Sequence, residues 1–193
     1  PIHEQMAPSI LRLGGRVDRT GLLVLHHGYA RPTSQGGVDR AQRNLSALER
    51  SVETRPNDAY TWYQLGCTYK GVGRDSDAVE AFQRTYALDP QGETLEPEVR
   101  ATLFTKLAQI ALGRREDAIA AEMAEESLAI CPGNALALQI LGLARIELGD
   151  LPGALPAFSE LLGCENLNPE MRREIGEKIV ETVRQAVAGV AVS

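Results

Sequence analysis

The sequence predicts an all-α protein built as a stack of short helical hairpins. Small residues that follow a large aliphatic residue recur at Gly66, Ala108, Gly142 and Gly176, with spacings of 42, 34 and 34 residues. A series of alanines and a series of Phe and Ala residues share the first two of these spacings. Several independent series with one period indicate a repeated pair of helices, because each hairpin needs its neighbours to bury its apolar face.

Composition agrees with this class. Aromatic residues make up 5% of the chain, whereas all-β folds favour aromatic and β-branched residues. No apolar run approaches the roughly 20 residues that cross a bilayer. Residues 59–193 carry twelve Lys/Arg against twenty Asp/Glu, a balance of −8 that argues against nucleic acid as a ligand.

Cysteine usage favours a reducing compartment, so we expect a cytoplasmic protein. Cys67, Cys131 and Cys164 are odd in number and widely spaced, and they lie far in sequence from the three histidines. This pattern fits neither a disulfide framework nor a zinc site. We expect all three to behave as small buried apolar residues.

Glycine and proline mark the predicted helices. The hairpins comprise residues 59–71 with 76–88, 101–112 with 117–130, and 135–147 with 152–162. Gly73 ends one helix because it tolerates φ > 0, and Pro90 stops another. The 42-residue spacing reflects eight inserted residues, 91–98 (QGETLEPE), where Gly92 and Pro97 favour a surface loop.

The first repeat resembles the tetratricopeptide repeat (TPR). The residues that match its signature are Trp62, Leu65, Gly66, Tyr69, Ala78, Phe82 and Pro90. The third repeat keeps Leu141, Gly142, Gly149, Ala154 and Phe158, while the middle one departs from the pattern at Arg115 and Ala124. The resemblance implies a right-handed superhelical stack of hairpins over residues 38–188, preceded by a short helix-strand remnant.

The repeat spacing predicts a domain plan. Residues 1–37 have no place in the repeat, and we expect them to be a remnant of, or linker from, an upstream α/β domain. A half repeat (38–56), repeats at 59–92, 101–134 and 135–168, and a capping helix (169–188) form the stack, and 189–193 are a frayed tail. Apolar side chains of the last helix would cover the third repeat and its polar ones would face water.

The first helices of such hairpins line a concave groove, which is the default binding surface for a protein or peptide. Tyrosine and lysine side chains there would hold an extended peptide by stacking and hydrogen bonds. The alternative is that these are solvated helix faces, with Leu136 and Leu143 covered by the final helix. The predicted groove residues are Tyr60, Tyr63, Cys67, Lys70, Thr102, Thr105, Lys106, Gln109 and Gln139.

Residues 1–37 lie outside the repeat. A helix is predicted over 4–13 and a strand over 21–27 (GLLVLHH), which lacks a partner strand in this chain. Residues 2–5 (IHEQ) and 23–29 (LVLHHGY), followed by repeats, resemble the junction of bacterial family 2 glycosyltransferases that carry C-terminal TPRs. That resemblance implies an upstream domain using a nucleotide sugar and a divalent metal, with this chain inactive alone.

Three functions therefore stay open: a peptide-binding scaffold, the C-terminal part of a glycosyltransferase, and a dimerisation unit that pairs the unpartnered strand. His3 and Glu4 are candidates for approach to an acceptor by the resemblance, and the start of a helix is the structural alternative. Neither His26 nor His27 has the helical spacing of a metal site. We expect no catalytic residue, metal or cofactor within this chain.

Overall fold

The computed structural model describes residues 14, 16, 34–164 and 169–190, with side chains omitted at 34–41, 171 and 185–190. The predicted all-α class is confirmed, because these residues form eight helices and no strand. The helix predicted at 4–13 and the strand predicted at 21–27 lie outside the described residues. The helices are α1 Ser34–Thr54, α2 Ala59–Gly71, α3 Asp75–Leu88, α4 Pro97–Gly113, α5 Asp117–Ile130, α6 Ala135–Glu147, α7 Leu151–Gly163 and α8 Pro169–Val190.

Helices α2, α5 and α6 have the predicted bounds, and the differences elsewhere have local causes. Helix α1 begins at Ser34, four residues before the predicted start. Helix α4 begins at Pro97 because proline suits a first helical turn, where its missing N–H is not needed. Helix α8 runs to Val190, beyond the predicted start of the frayed tail, since no proline stops it.

Residues 91–96 of the insertion form an ordered loop, and its last two residues, Pro97 and Glu98, begin α4. The carboxylate of Asp89 accepts hydrogen bonds from the backbone N–H groups of Glu93 (2.8 Å), Thr94 (3.2 Å) and Leu95 (3.0 Å). Asp89 is 4% exposed and Leu95 is buried beside it. Burial acts to raise the pKa of Asp89, but these bonds outweigh it and hold the pKa below the usual range.

Two compact units divide within α3, between Ala81 and Phe82. The core of the first unit consists of apolar residues of α1, α2 and α3, and Trp62 and Tyr69 pack against it. Trp62 donates its indole N–H to the carbonyl of Pro56 at 2.9 Å, which satisfies its polar edge. The buried core residues are Leu45, Leu48, Val52, Leu65 and Ala81.

The second unit has two apolar clusters. One joins small and aliphatic residues of α4, α5, α6 and α7, among them Ala108, Ala120, Ala124 and Ala144. The other is formed by α6 and α7, and residues Ile175, Ile179 and Val183 of α8 pack against it. The charged residues of α8, including Arg173 and Lys178, are exposed. The last helix thus presents Ile175, Ile179 and Val183 to the third hairpin, as predicted, whereas Val180, which was expected on the same side, is 56% exposed.

The expectation of buried cysteines is wrong: Cys67, Cys131 and Cys164 are each half-buried. Cys131 and Cys164 cap the ends of α5 and α7, where the chain turns at the surface. Cys67 lies on the outward side of α2, four residues after Tyr63. None of the described helices has the length and apolar character that a membrane span requires.

Candidate functional site

The predicted binding residues of the first unit lie along one side of α2. Tyr60 and Tyr63 are half-exposed and their rings stack, with centroids 6.0 Å apart and planes inclined by 29°. Cys67 and Lys70 follow on the same side at helical spacing, and both are half-exposed. Lys70 forms an ion pair of 3.4 Å with Asp75 at the start of α3.

Local bonds fix the orientation of α2. Asp58 caps the helix by accepting from the backbone N–H of Thr61 at 3.2 Å and from its hydroxyl at 2.7 Å. On the opposite side, the Tyr69 hydroxyl donates to Glu49 of α1 at 3.0 Å. Burial and this bond raise the pKa of Tyr69. These anchors leave the Tyr60–Tyr63 side of α2 directed outward.

The predicted residues of α4 divide into exposed and buried ones. Thr102, Lys106 and Gln109 are half-exposed, and the Lys106 ammonium lies 3.4 Å from the Gln109 side-chain oxygen. Thr105 is 3% exposed, so its assignment to the groove is wrong. Thr105 stands at the repeat position at which Tyr63 and Gln139 reach the surface. Its side chain is shorter than theirs, and its hydroxyl forms hydrogen bonds toward the interior of the unit.

A buried polar network holds Thr105. Its hydroxyl donates to the carbonyl of Ala101 (2.9 Å) and lies 2.8 Å from the hydroxyl of Ser127 on α5. The Asn134 side-chain amide donates to the hydroxyls of Thr105 (2.9 Å) and Ser127 (3.0 Å). The side-chain oxygen of Asn134 also caps α6 through the N–H of Ala137. The network fixes α4, α5 and α6 relative to one another, so it supports the exposed faces of α4 and α6.

Helix α6 packs directly against α4 and continues the second unit's candidate surface. Gln139 is half-exposed and Leu136 is 37% exposed. Leu143 packs against the same apolar cluster as Ile175 and Ile179 of α8. Leu136 is therefore not covered by the last helix, whereas Leu143 is half-buried against the cluster that α8 also contacts.

Within each unit the first helices present amides, hydroxyls, lysines and aromatic rings. None of the nine predicted residues is acidic, although the repeat region as a whole is acidic. Such a surface suits hydrogen bonding and stacking with a protein segment. The prediction missed Asn134, whose role depends on contacts with Thr105 and Ser127 that the 34-residue period does not encode.

Comparison with solved structures shows the TPR fold. The crystal structure of MamA aligns with a TM-score of 0.59 at 18% identity, over 83% of this chain and 96% of that one. The structure of YrrB, described as a TPR protein with an unusual peptide-binding site, aligns with a TM-score of 0.59 at 16% identity, over 80% of each chain. The predicted TPR hairpins are therefore confirmed.

Among curated sequences, the chain is similar to the cytochrome c-type biogenesis protein CycH of Pseudomonas aeruginosa. The two are 30% identical over 161 residues, which cover 76% of this chain and 38% of CycH. The chain spans less than half the length of the curated relatives it matches. No protein-family model matches the chain.

Proposed function

We propose that this chain is a protein-interaction module whose first helices bind an extended peptide segment. The observation that carries the proposal is the stacked Tyr60–Tyr63 pair, half-exposed on one side of α2. Tyrosine offers a large rigid surface at a small entropic cost, and its hydroxyl supplies a hydrogen bond. Lys70 on the same side adds a positive charge, although Asp75 partly neutralises it.

The second unit supports the same function with a polar surface. Lys106 and Gln109 on α4 and Gln139 on α6 carry the donors and acceptors that an extended backbone needs. The buried bonds among Thr105, Ser127 and Asn134 reduce the ordering cost of binding, since α4 and α6 are already held together. Likeness to YrrB, which has a peptide-binding site, is consistent with this proposal.

The test begins with peptides selected from a displayed random library against the whole chain. The affinity of a selected peptide is then measured by fluorescence anisotropy for Tyr63→Ala and Lys106→Ala. We expect Tyr63→Ala to weaken peptides that bind the first unit and Lys106→Ala to weaken those that bind the second, each about tenfold, as for residues central to an interface. Val180→Ala and Lys178→Ala are controls, because both side chains are exposed on α8, outside the candidate surface.

The controls should stay within about twofold of the parent affinity. Unchanged binding by both Tyr63→Ala and Lys106→Ala would place the peptide site elsewhere. Circular dichroism on each variant separates lost contacts from lost folding.

A second candidate is the C-terminal part of a family 2 glycosyltransferase. It is supported by the resemblance of residues 2–5 and 23–29, which lie outside the described residues. A nucleotide sugar and a divalent metal would then bind an upstream domain. The gene sequence before Pro1 tests this: an Asp-x-Asp-bearing α/β domain directly upstream supports it, and a start codon adjoining Pro1 contradicts it.

The third candidate, a homodimer formed through residues 21–27, is tested by light scattering. Deletion of residues 1–33 should convert a dimer into a monomer if the predicted strand pairs between two copies. A dimer that persists after the deletion contradicts strand pairing and leaves the helices as the interface. A cytoplasmic location also stays a proposal, which fractionation of the native host would test.

A further inference from the structure

The third hairpin shows how a second helix is held in this stack. The ring of Phe158 of α7 lies so close to Gly142 of α6 that a side chain on Gly142 would overlap it. Leu128 of α5 packs against the apolar cluster that contains Phe158. A glycine of the first helix and a leucine of the preceding second helix therefore accommodate the aromatic residue of the next second helix.

The same pair of residues recurs 34 residues later. Leu162 of α7 and Gly176 of α8 stand at the positions of Leu128 and Gly142. Among the described residues, α8 packs against α6 and α7 alone, so no further helix covers this pair. A Cβ added on Gly176 would have Cδ2 of Leu162 as its nearest described neighbour, at 3.9 Å. The position that Phe158 fills in the third hairpin is thus open at α8.

A recess of about 560 Å³ marks this open position. The described residues that line it are Leu162, Pro169, Arg172, Arg173 and Gly176. The end of α8 beside it is uncovered as well. Val180 is 56% exposed, whereas Ile146, which stands 34 residues earlier, is 8% exposed. An apolar surface that the second helix covers in the third hairpin is therefore accessible at α8.

The charged residues among those that line the recess are Arg172 and Arg173, and both are exposed. The guanidinium of Arg172 donates to the carbonyl of Cys164 at 3.2 Å, which holds it beside the end of α7. The guanidinium of Arg173 lies 4.0 Å from the carboxylate of Glu177, and an exposed pair at this distance is weak. The recess therefore combines apolar and positively charged side chains, which favours a ligand with apolar and acidic groups.

We infer that the recess between α7 and α8 docks a helix of a partner protein, which takes the place of the second helix of a further hairpin. In α3 and α7 an alanine precedes a buried phenylalanine by four residues, at positions 78 and 82 and at positions 154 and 158. We expect the partner helix to carry the same small and aromatic pair, with acidic residues that approach Arg172 and Arg173. None of the nine predicted groove residues lines the recess, so this inference does not depend on the peptide site.

The probe is a labelled synthetic peptide with the sequence of α3, DSDAVEAFQRTYAL. It contains alanine and phenylalanine at the required spacing, and three acidic residues against one arginine make it negative. Its affinity for the whole chain is measured by fluorescence anisotropy. A second peptide with alanine in place of the phenylalanine should bind about tenfold more weakly, because it lacks the aromatic anchor. Equal affinities of the two peptides, or no binding by either, would contradict the inference.

Gly176→Leu tests the recess from the side of the protein. We expect it to weaken binding about tenfold or more, because the added side chain occupies the space that the aromatic residue needs. Gly113→Leu is the matched control, since Gly113 is exposed at the end of α4 and nothing lies within 4 Å of its added Cβ. The control should stay within about twofold of the parent. Unchanged binding by Gly176→Leu would place the peptide elsewhere and overturn the inference.

Arg172→Glu/Arg173→Glu tests the charge of the recess. We expect binding to weaken about tenfold or more, because two attractions become repulsions. Lys178→Glu/Arg184→Glu makes the same change in net charge at two exposed positions of α8 that do not line the recess. It should stay within about threefold of the parent. An equal loss in both double variants would mean that the peptide follows overall charge, which would refute docking in the recess.

Light scattering distinguishes a partner helix from a second copy of this chain. We expect the parent and Gly176→Leu to have the same molecular mass in the absence of peptide. A dimer that Gly176→Leu converts into a monomer would mean that another copy fills the recess, and it would overturn docking of a partner. Circular dichroism confirms that each variant is folded before its affinity is compared.

Discussion

Gly142 of α6 lies directly against the ring of Phe158 of α7. A Cβ placed on Gly142 would come within 2.4 Å of Cε1, and of two further ring carbons at 2.6 and 2.8 Å. Phe158 is itself 3% exposed, so its ring has no free space into which to move. At Gly142 the small residue of the 34-residue period is thus a steric requirement: the two helices of this hairpin approach as closely as a missing side chain permits.

Gly142→Ala should therefore lower the free energy of unfolding. Alanine gains about 1 kcal/mol of helix propensity over glycine, but overpacking a core costs about 1–3 kcal/mol. Because the added methyl would lie within 2.8 Å of three carbons of a buried ring, we expect overpacking near the upper end of this range, and so a net loss of about 1–2 kcal/mol, measured by urea unfolding. Gly163→Ala is the control, since nothing lies within 4 Å of its added Cβ. Equal stability of Gly142→Ala and the parent would show that the hairpin can open without cost.

The contact between Gly142 and Phe158 shows why the sequence predicts much of the fold. Small residues and helix breakers repeat with the period, so the bounds of α2, α5 and α6 follow directly from their positions. The first-helix surface was only partly predictable, because repeat position does not determine burial. Thr105 occupies the same position in its repeat as Tyr63. It is nevertheless buried, because Ser127 and Asn134, which belong to other segments, are its hydrogen-bond partners.

The inserted loop shows the same limit. Gly92 and Pro97 predict a surface loop by local conformation alone. Its order comes from the buried carboxylate of Asp89, whose three bonds reach four to six residues forward. An aspartate before a proline also ends helices in general. The sequence therefore gives no separate sign that Asp89 orders the loop.

Asp89 should make stability depend on pH. Its folded pKa lies below the unfolded value of about 3.9. The contribution of Asp89 to the free energy of unfolding is therefore complete above the unfolded pKa, and it is lost as the pH falls through the folded pKa. Asp89→Asn keeps the shape but turns one acceptor into a donor facing N–H groups. We expect a loss of about 2–3 kcal/mol at pH 7, as for hydrogen bonds to a charged group.

Urea unfolding between pH 7 and about pH 3 checks this expectation, because the gap between Asp89→Asn and the parent should narrow below about pH 4. Glu96→Gln serves as control: its side chain makes no capping bond at the start of α4, so its curve should follow the parent. A gap that stays constant with pH would mean that the carboxylate charge is not what orders the loop.

Thr105→Val should destabilise the second unit. The substitution preserves shape but removes the hydroxyl that donates to Ala101, accepts from Asn134 and bonds Ser127, while Ser127 keeps its own bonds to Ala101 and Asn134. Each buried hydrogen bond that is lost costs about 0.5–1.5 kcal/mol. Thr102→Val on the same helix should change stability by less than about 0.5 kcal/mol, since Thr102 is half-exposed and bonds Glu98 locally. If the two substitutions cost the same, Thr105 would belong with the exposed residues after all.

Arg115 has a left-handed backbone, with φ of 62°, where the other two hairpins have Gly73 and Gly149 at φ of 78° and 79°. The left-handed conformation costs a non-glycine residue about 1 kcal/mol. The ion pair with Glu147 opposes this cost. The side chain of Arg115 is 70% exposed and that of Glu147 is 36% exposed. Exposed pairs of this kind contribute about 0.5 kcal/mol. Because the backbone strain outweighs the ion pair, Arg115→Gly should raise the free energy of unfolding by about 0.5 kcal/mol.

Salt concentration separates the backbone strain from the ion pair. At about 1 M NaCl the ion pair of the parent is screened, so the advantage of Arg115→Gly should grow toward the full strain energy. Arg115→Ala removes the ion pair and keeps the strain, so it should be slightly less stable than the parent at low salt and equal to it at high salt. An Arg115→Gly variant less stable than the parent at both salt concentrations would show that Arg115 contributes more through its side chain than its backbone costs. The middle hairpin would then depend on the Arg115–Glu147 contact rather than tolerate a strained turn.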